Sequence, residues 1–325
     1  MAQPNPTIGE VASVTIANYS KDAADNVSQH NALLYMIEKS GNTFDGGTQL
    51  QEIVEFAPNV NVNSYSGSDT LGTSSQDVLT TAVFPFKQYS AQVVFTGTEE
   101  LQNAGKERMV PLVATRVKNA FHSIDNRLNQ DLYTDGTGNA GKNITGLLAA
   151  VPLAPTNVYG GIDRSVSTNA FWKNYKFQAS VDGSGAATVS NGLITQYFNT
   201  ILPNVTRQKD KPKLIIAGIV TYAIFESGLQ ANQFITDADM ASRGFVNIAF
   251  QGIPVTFDSN ASGIASTTSY FLNTDYLEWR VHRDRNMVEL EDKQSVNQDV
   301  TVKTIVWAGN LVCRGAFLQA NFSNT

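Results

Sequence analysis

The stretch Val110-Pro-Leu-Val-Ala-Thr-Arg-Val-Lys-Asn-Ala-Phe-His-Ser-Ile-Asp-Asn-Arg-Leu-Asn-Gln-Asp-Leu-Tyr133 decides how the rest of the chain is read. Val110, Val113, Val117, Phe121, Ile124, Leu128 and Leu132 follow one another in steps of three and four, the spacing of one buried stripe on a helix. Pro111 suits the first turn, where its missing N–H costs nothing. Gly136 and Gly138 follow and can take the positive φ that ends a helix. A helix of this length runs about 36 Å, long for a globular protein.

Upstream, the sequence reads as arm and hairpin. Residues 1–48 are polar, with a helix expected over Asp22–Lys39 whose short stripe of Leu33, Leu34 and Ile37 must find cover elsewhere. Gln49–Thr98 reads as a long hairpin, with strand character at Gln51–Phe56 and Ala91–Phe95. Between Pro58 and Phe86 there is no Lys or Arg, and the only acids are Asp69 and Asp77. A coreless loop of this length is rarely inert. Its apolar second half makes it an arm toward a neighbouring subunit, with Val78, Leu79, Val83, Phe84 and Phe86 as contact candidates and Tyr65 near its tip. Thr96 and Glu99 have the spacing of a capping box for a short helix before the long one.

Downstream, Leu193–Val205 is amphipathic, Leu214–Ala217 is a short buried strand, and a helix follows through Tyr222, Phe225 and Leu229. Val246–Phe250 and Ile253–Phe257 flank a Gln251-Gly252 turn. This alternation predicts an α/β-type domain over about 145–270. Tyr276–His282, Asp299–Trp307 and Leu311–Phe322 read as strands of a terminal sheet that returns to cover the apolar face of the long helix. The overall class is α+β.

The chain has 325 residues, 42% of them apolar and only 16% charged, against roughly 25% charged in average globular proteins. Few charges among many Asn, Ser, Thr and Gln suit either a protein that buries much surface against partners or a β-rich protein with polar loops. A net charge of −6 argues against a dedicated nucleic-acid binder, though not against a wall that encloses nucleic acid. Cys313 is the only cysteine, so no intrachain disulfide forms, and its apolar strand makes it a core residue. There is no signal-peptide pattern at the start and no apolar run of membrane-spanning length.

Catalytic chemistry finds no anchor. The three histidines, His30, His122 and His282, sit in different elements without metal-ligand spacing. His122 and Asp125, three apart on the long helix, read as a solvated face. There is no Gly-x-Ser-x-Gly elbow and no phosphate-binding glycine loop. Asp135-Gly-Thr-Gly-Asn139 faintly resembles a calcium loop, but Gly146 stands where the bidentate Glu is required. Trp172, Trp279 and Trp307 read as core or interface anchors. No catalytic residue, metal ligand or cofactor is expected.

The order of parts carries a resemblance. N-terminal arm, extended hairpin, long helix, Gly-rich turn, α/β domain and C-terminal strands resemble the layout of tailed-bacteriophage major capsid proteins of the Hong Kong 97-type fold. Thr134-Asp-Gly-Thr-Gly138 running into Ile144-Thr-Gly-Leu147 resembles the turn that leaves the spine helix in that family. Gly160-Gly-Ile-Asp-Arg164 with Phe171-Trp-Lys-Asn174 is similar to a motif in one branch of it. The resemblance implies an N-terminal arm (1–48), an extended loop (49–98), a peripheral domain with the spine helix (99–143 and 271–310) and an axial domain (144–270 and 311–325). It further implies a coat protein that assembles with itself as pentamers and hexamers into an icosahedral head. That head would enclose double-stranded DNA and be built in the bacterial cytoplasm, with a separate scaffolding protein, a portal and no membrane. Some relatives cross-link through a lysine on the extended loop; none lies between Gln49 and Phe86 here. A fused scaffolding segment is likewise not expected. An encapsulin-type compartment shell and a β-rich hydrolase or binding protein are the alternatives.

Overall fold

The long helix runs from Leu112 to Leu132 over 21 residues, about 32 Å. Ala120, Ile124, Leu128 and Leu132 are buried, and Val117 and Phe121 pack against the same core. The structure, a computed structural model, describes residues 32–102, 112–183, 189, 191–229, 247–258, 263–294 and 297–325. The expected start of the helix at Val110 and Pro111, and residues 22–31 of the expected first helix, lie outside the described residues.

In chain order the elements are α1 (Ala32–Lys39), β1 (Asn42–Phe44), β2 (Leu50–Glu55), β3 (Leu79–Phe84), β4 (Lys87–Thr96), α2 (Gly97–Gln102) and the long helix α3. Then come β5 (Val158–Tyr159), β6 (Ile162–Asp163), β7 (Tyr175–Gln178), α4 (Asn191–Asn204), β8 (Leu214–Ala217) and α5 (Ile219–Leu229). The last are β9 (Asn247–Phe250), β10 (Ile253–Phe257), β11 (Thr268–Leu272), β12 (Leu277–His282), β13 (Val288–Glu289), β14 (Lys293–Gln294), β15 (Val300–Cys313) and β16 (Ala320–Ser323).

Two six-stranded sheets organise these elements. The first is built on β15, 14 residues long. One side of β15 pairs with β4 from Val300↔Thr96 to Gly309↔Lys87. Its other side takes β14, β13 and β12 in succession, and β1 adds in parallel to β12. The second sheet has the order β7-β16-β11-β8-β10-β9, with the final strand β16 between β7 and β11. Both faces of this sheet are covered. Leu214, Ile216, Tyr270 and Leu272 face the core shared with α3. Ile215, Ala217 and Phe271 face a second core under α4 and α5. The period-two alternation of a strand divides one sheet between two cores. At the junction, Tyr133 at the foot of α3 donates a hydrogen bond to Asp258 after β10, Oη to Oδ2 at 2.8 Å.

Local signals were reliable. Thr96 and Glu99 form the capping box, with Thr96 N–H donating to Glu99 Oε2 at 2.9 Å and Glu99 N–H to Thr96 Oγ1 at 3.3 Å. Gly136 takes φ +79°, and a Cβ there would meet Ile144 O at 2.9 Å; Gly138 does not need a positive φ. Asp135 Oδ1 accepts from Thr137 N and Oγ1 at 3.0 and 2.7 Å. These bonds hold its carboxyl below the usual range and commit it to a turn. Gln251 and Gly252, at φ +49° and +79°, turn β9 into β10. Trp172, Trp279, Trp307 and Cys313 are all core residues.

Three expectations need correction. The strand at 91–95 does not close a hairpin with 51–56. Leu50–Glu55 pairs with Leu79–Phe84, and Lys87–Thr96 joins the first sheet along its whole length. The reason is burial: Val93 on β4 joins the core that α3 lines, and Phe95 is buried as well. For the same reason β4, with β15 behind it, covers the apolar face of α3, a role the C-terminal strands were expected to fill alone. Finally, Asp299–Trp307 and the first residues of Leu311–Phe322 are one strand. Gly309 lies inside it, and a Cβ there would stand 2.4 Å from Arg280 O and 2.9 Å from the Trp307 ring. Gly309 reads as a break, yet it is what lets β12 and Trp307 come this close.

Candidate assembly surface

The paired strands β2 and β3 have two unlike faces. Leu50, Val54, Ala82 and Phe84 are buried against the body. Glu52, on the same face, ties the hairpin base down through Arg280 at 2.6 Å. Arg280 Nε lies 2.9 Å from Glu278, Arg314 reaches Glu278 at 2.7 Å, and Asn42 donates to Glu278 at 3.2 Å. Glu52 and Glu278 are nearly inaccessible, so each depends on the arginines for compensation.

The opposite face carries Ile53, 72% exposed, and Leu79, 60% exposed, with Val83 half-buried. Large apolar side chains this bare are unusual on a monomer when they gather on one element. Beyond the strands the chain continues as a narrow projection. Phe56 N–H donates to Val78 O, Val60 N–H to Gln76 Oε1, and Asn61 Nδ2 to Ser74 O at 2.7 Å. Ser66 and Asp69 close its tip, where Ser66 N–H donates to Asp69 Oδ2 at 2.8 Å. These polar contacts hold an arm without a core. On it Val60, Val62, Leu71 and Tyr65, the last 67% exposed, all face solvent.

The expected contact residues therefore separate. Leu79 and Tyr65 are exposed and Val78 and Val83 half-buried. Phe86 is half-buried, its ring 5.8 Å from that of Phe44. Phe84 is corrected: it is 1% exposed, lies edge-on to Tyr159 at 5.0 Å and is not on the surface at all. Gly160, at φ +59°, leaves room for its ring. Strand parity explains the difference, because Phe84 shares the inward phase of Ala82 whereas Val83 and Leu79 share the outward one. Ile53, Val60, Val62 and Leu71 escaped the sequence reading, although the outward phase of Gln51-Ile53-Glu55 was available to find Ile53.

Asp131 and Cys313 are buried structural members. Tyr89 Oη donates to Asp131 at 2.7 Å, and Asp131 also accepts from Asn143 and Arg127. Burial drives the Tyr89 hydroxyl well above its usual value, and burial pushes the Cys313 thiol up to about 11. Among the described residues no helix is long and apolar enough to cross a membrane.

No family model matches the chain, and no curated protein matches it. Solved structures do match, over nearly the whole chain. A chain of the cyanophage A-1(L) capsid asymmetric unit superposes with a TM-score of 0.71 at 18% identity, covering 95% of this chain and 97% of that one. A chain of the capsid of Myoviridae phage XM1 gives 0.56 at 14% identity, with 95% and 97% covered. A chain from the capsid of a native GTA particle gives 0.55 at 11% identity, with 96% and 98% covered. The fold of this chain is the fold of those capsid chains.

Proposed function

We propose that this chain is the major capsid protein of a tailed phage, assembling with itself as pentamers and hexamers into an icosahedral shell around double-stranded DNA. The observation that carries the reading is the coreless, cation-free arm with a bare apolar face, set on a fold shared along its length with phage capsid chains. Heterologous contacts that close by rotation make such rings. An arm that cannot bury itself gains its burial from the next subunit, and obligate contacts of this kind commonly cover about 2,000 Å² or more.

Within the Hong Kong 97-type architecture, residues 49–86 serve as the extended loop. The spine helix and the first sheet form the peripheral domain, and the second sheet with α4 and α5 forms the axial domain. β4 belongs with the peripheral sheet on grounds of pairing. A separate scaffolding protein, a portal and assembly in the bacterial cytoplasm complete the proposal.

Negative-stain microscopy of the expressed chain, with and without candidate scaffolds, tests it. Closed shells or capsomers are expected, and a homogeneous monomer under every condition would sink the reading. Nuclease-protected double-stranded DNA in particles from infected cells separates a phage head from a protein compartment.

A further inference from the structure

The ladder that closes the hairpin also determines which of its backbone groups stay open. Because Phe56 N–H donates to Val78 O at 3.0 Å, the hydrogen-bonded pairs are those in phase with it: Leu50↔Phe84, Glu52↔Ala82 and Val54↔Thr80. The N–H and C=O groups of Gln51, Ile53 and Glu55 therefore point away from β3. On the outer edge of β3, Val83 N–H donates to Gly160 O at 2.9 Å. The outer edge of β2 pairs with no strand among the described residues. It carries no Lys, no Pro and no bulge between Leu50 and Glu55, its charges being Glu52 and Glu55.

In front of this edge lies a groove of about 770 Å³. Its far wall includes Arg207, Asp210, Tyr276, Arg314 and Phe317. The Arg207 guanidinium lies 3.8 Å over the Phe317 ring, and Tyr276 donates to Asp210 at 3.2 Å, so the wall is preorganised. The charged lining of the groove is mixed, with Glu55, Asp210 and Asp275 alongside Arg207 and Arg314. The bare face bearing Ile53 and Leu79 adjoins the same edge.

We propose that an extended segment of a second copy of this chain enters the groove and adds to β2 as a third strand. Main-chain hydrogen bonds to Gln51, Ile53 and Glu55 would supply affinity. The choice of a second copy rests on the shell reading; the open edge does not.

Hydrogen exchange read by mass spectrometry over residues 50–56, in dissociated subunits and in assembled particles, tests the inference. Exchange should slow about tenfold or more on assembly. Ile53→Pro removes one outward donor without touching the inner ladder; it should leave the subunit melting temperature near wild type and impair assembly. Val54→Pro, which breaks an inner bond, should instead lower the melting temperature. Assembled wild-type particles with unchanged exchange over 50–56 would overturn the strand addition while leaving the shell reading intact. So would an Ile53→Pro variant that assembles normally. If Ile53→Pro misfolds, the wild-type exchange comparison alone decides. A wild-type chain that never assembles overturns the shell reading instead.

Discussion

At the scale of single residues, inward and outward phase separates core side chains from exposed ones. Phe84→Ala should cost the isolated subunit about 3–5 kcal/mol in chemical denaturation, the range for emptying a core phenylalanine site. Leu79→Asp and Tyr65→Ala should leave that denaturation curve in place and make shells dissociate at lower denaturant, by about 1–3 kcal/mol for each lost anchor. A shell defect in Phe84→Ala without subunit destabilisation would contradict the burial assigned to it. Arg280→Ala leaves the Glu52 and Glu278 carboxylates without their shared cation and should cost about 3–5 kcal/mol, again in the subunit. Glu38 adds a pH dependence. Burial, and then Asp125 on α3, push its pKa from 4.5 up to about 7. The folded carboxyl keeps its proton across a window in which the unfolded one is ionised, so docking of α1 weakens as pH rises from about 4.5 to 7 and levels off above that. Asp125, itself raised chiefly by burial and partly offset by His122, acts in the same direction. Subunit melting followed between pH 5 and 7.5 should show this decline, and Glu38→Gln should flatten it.

At the scale of elements, what could be read from sequence was what neighbours along the chain decide. The stripe on α3 depends on residues three and four apart. The capping box of Thr96 and Glu99 spans three positions, and the turns at Gly136 and Gln251-Gly252 are equally local. Strand partners are not local. Lys87–Thr96 lies more than 200 residues from Val300–Gly309, and nothing in its own alternation names that partner. The division of the arm's residues into exposed and core was missed for the same reason, since the phase of β3 becomes visible only once its register against β2 is known. Asp131 was invisible too: an acid on a helix reads as wet, but Tyr89, Arg127 and Asn143 converge on it from three places in the chain. The arm itself supports a prediction at this scale. Removing residues 59–75 should leave the subunit fold intact by circular dichroism and abolish or weaken assembly; shells of normal stability from such a variant would refute the arm's role.

At the scale of the molecule, the two cores meet on one sheet, joined across by Tyr133 and Asp258. Tyr133→Phe removes that buried hydrogen bond and should cost about 1–3 kcal/mol in subunit denaturation. The place of β16 has a different kind of consequence. Because Ala320–Ser323 lies between β7 and β11, the second sheet has an interior strand that the ribosome delivers after all of its neighbours. Tyr175–Gln178 waits through the synthesis of more than 140 residues before its partner exists, some 7 to 30 s at typical bacterial elongation rates. Until then the strand edges of β7 and β11 stand open in a nascent chain. Chaperone dependence should therefore persist until Ala320–Ser323 has emerged, and chains stalled before residue 316 should be captured by holdases while chains that include β16 are released.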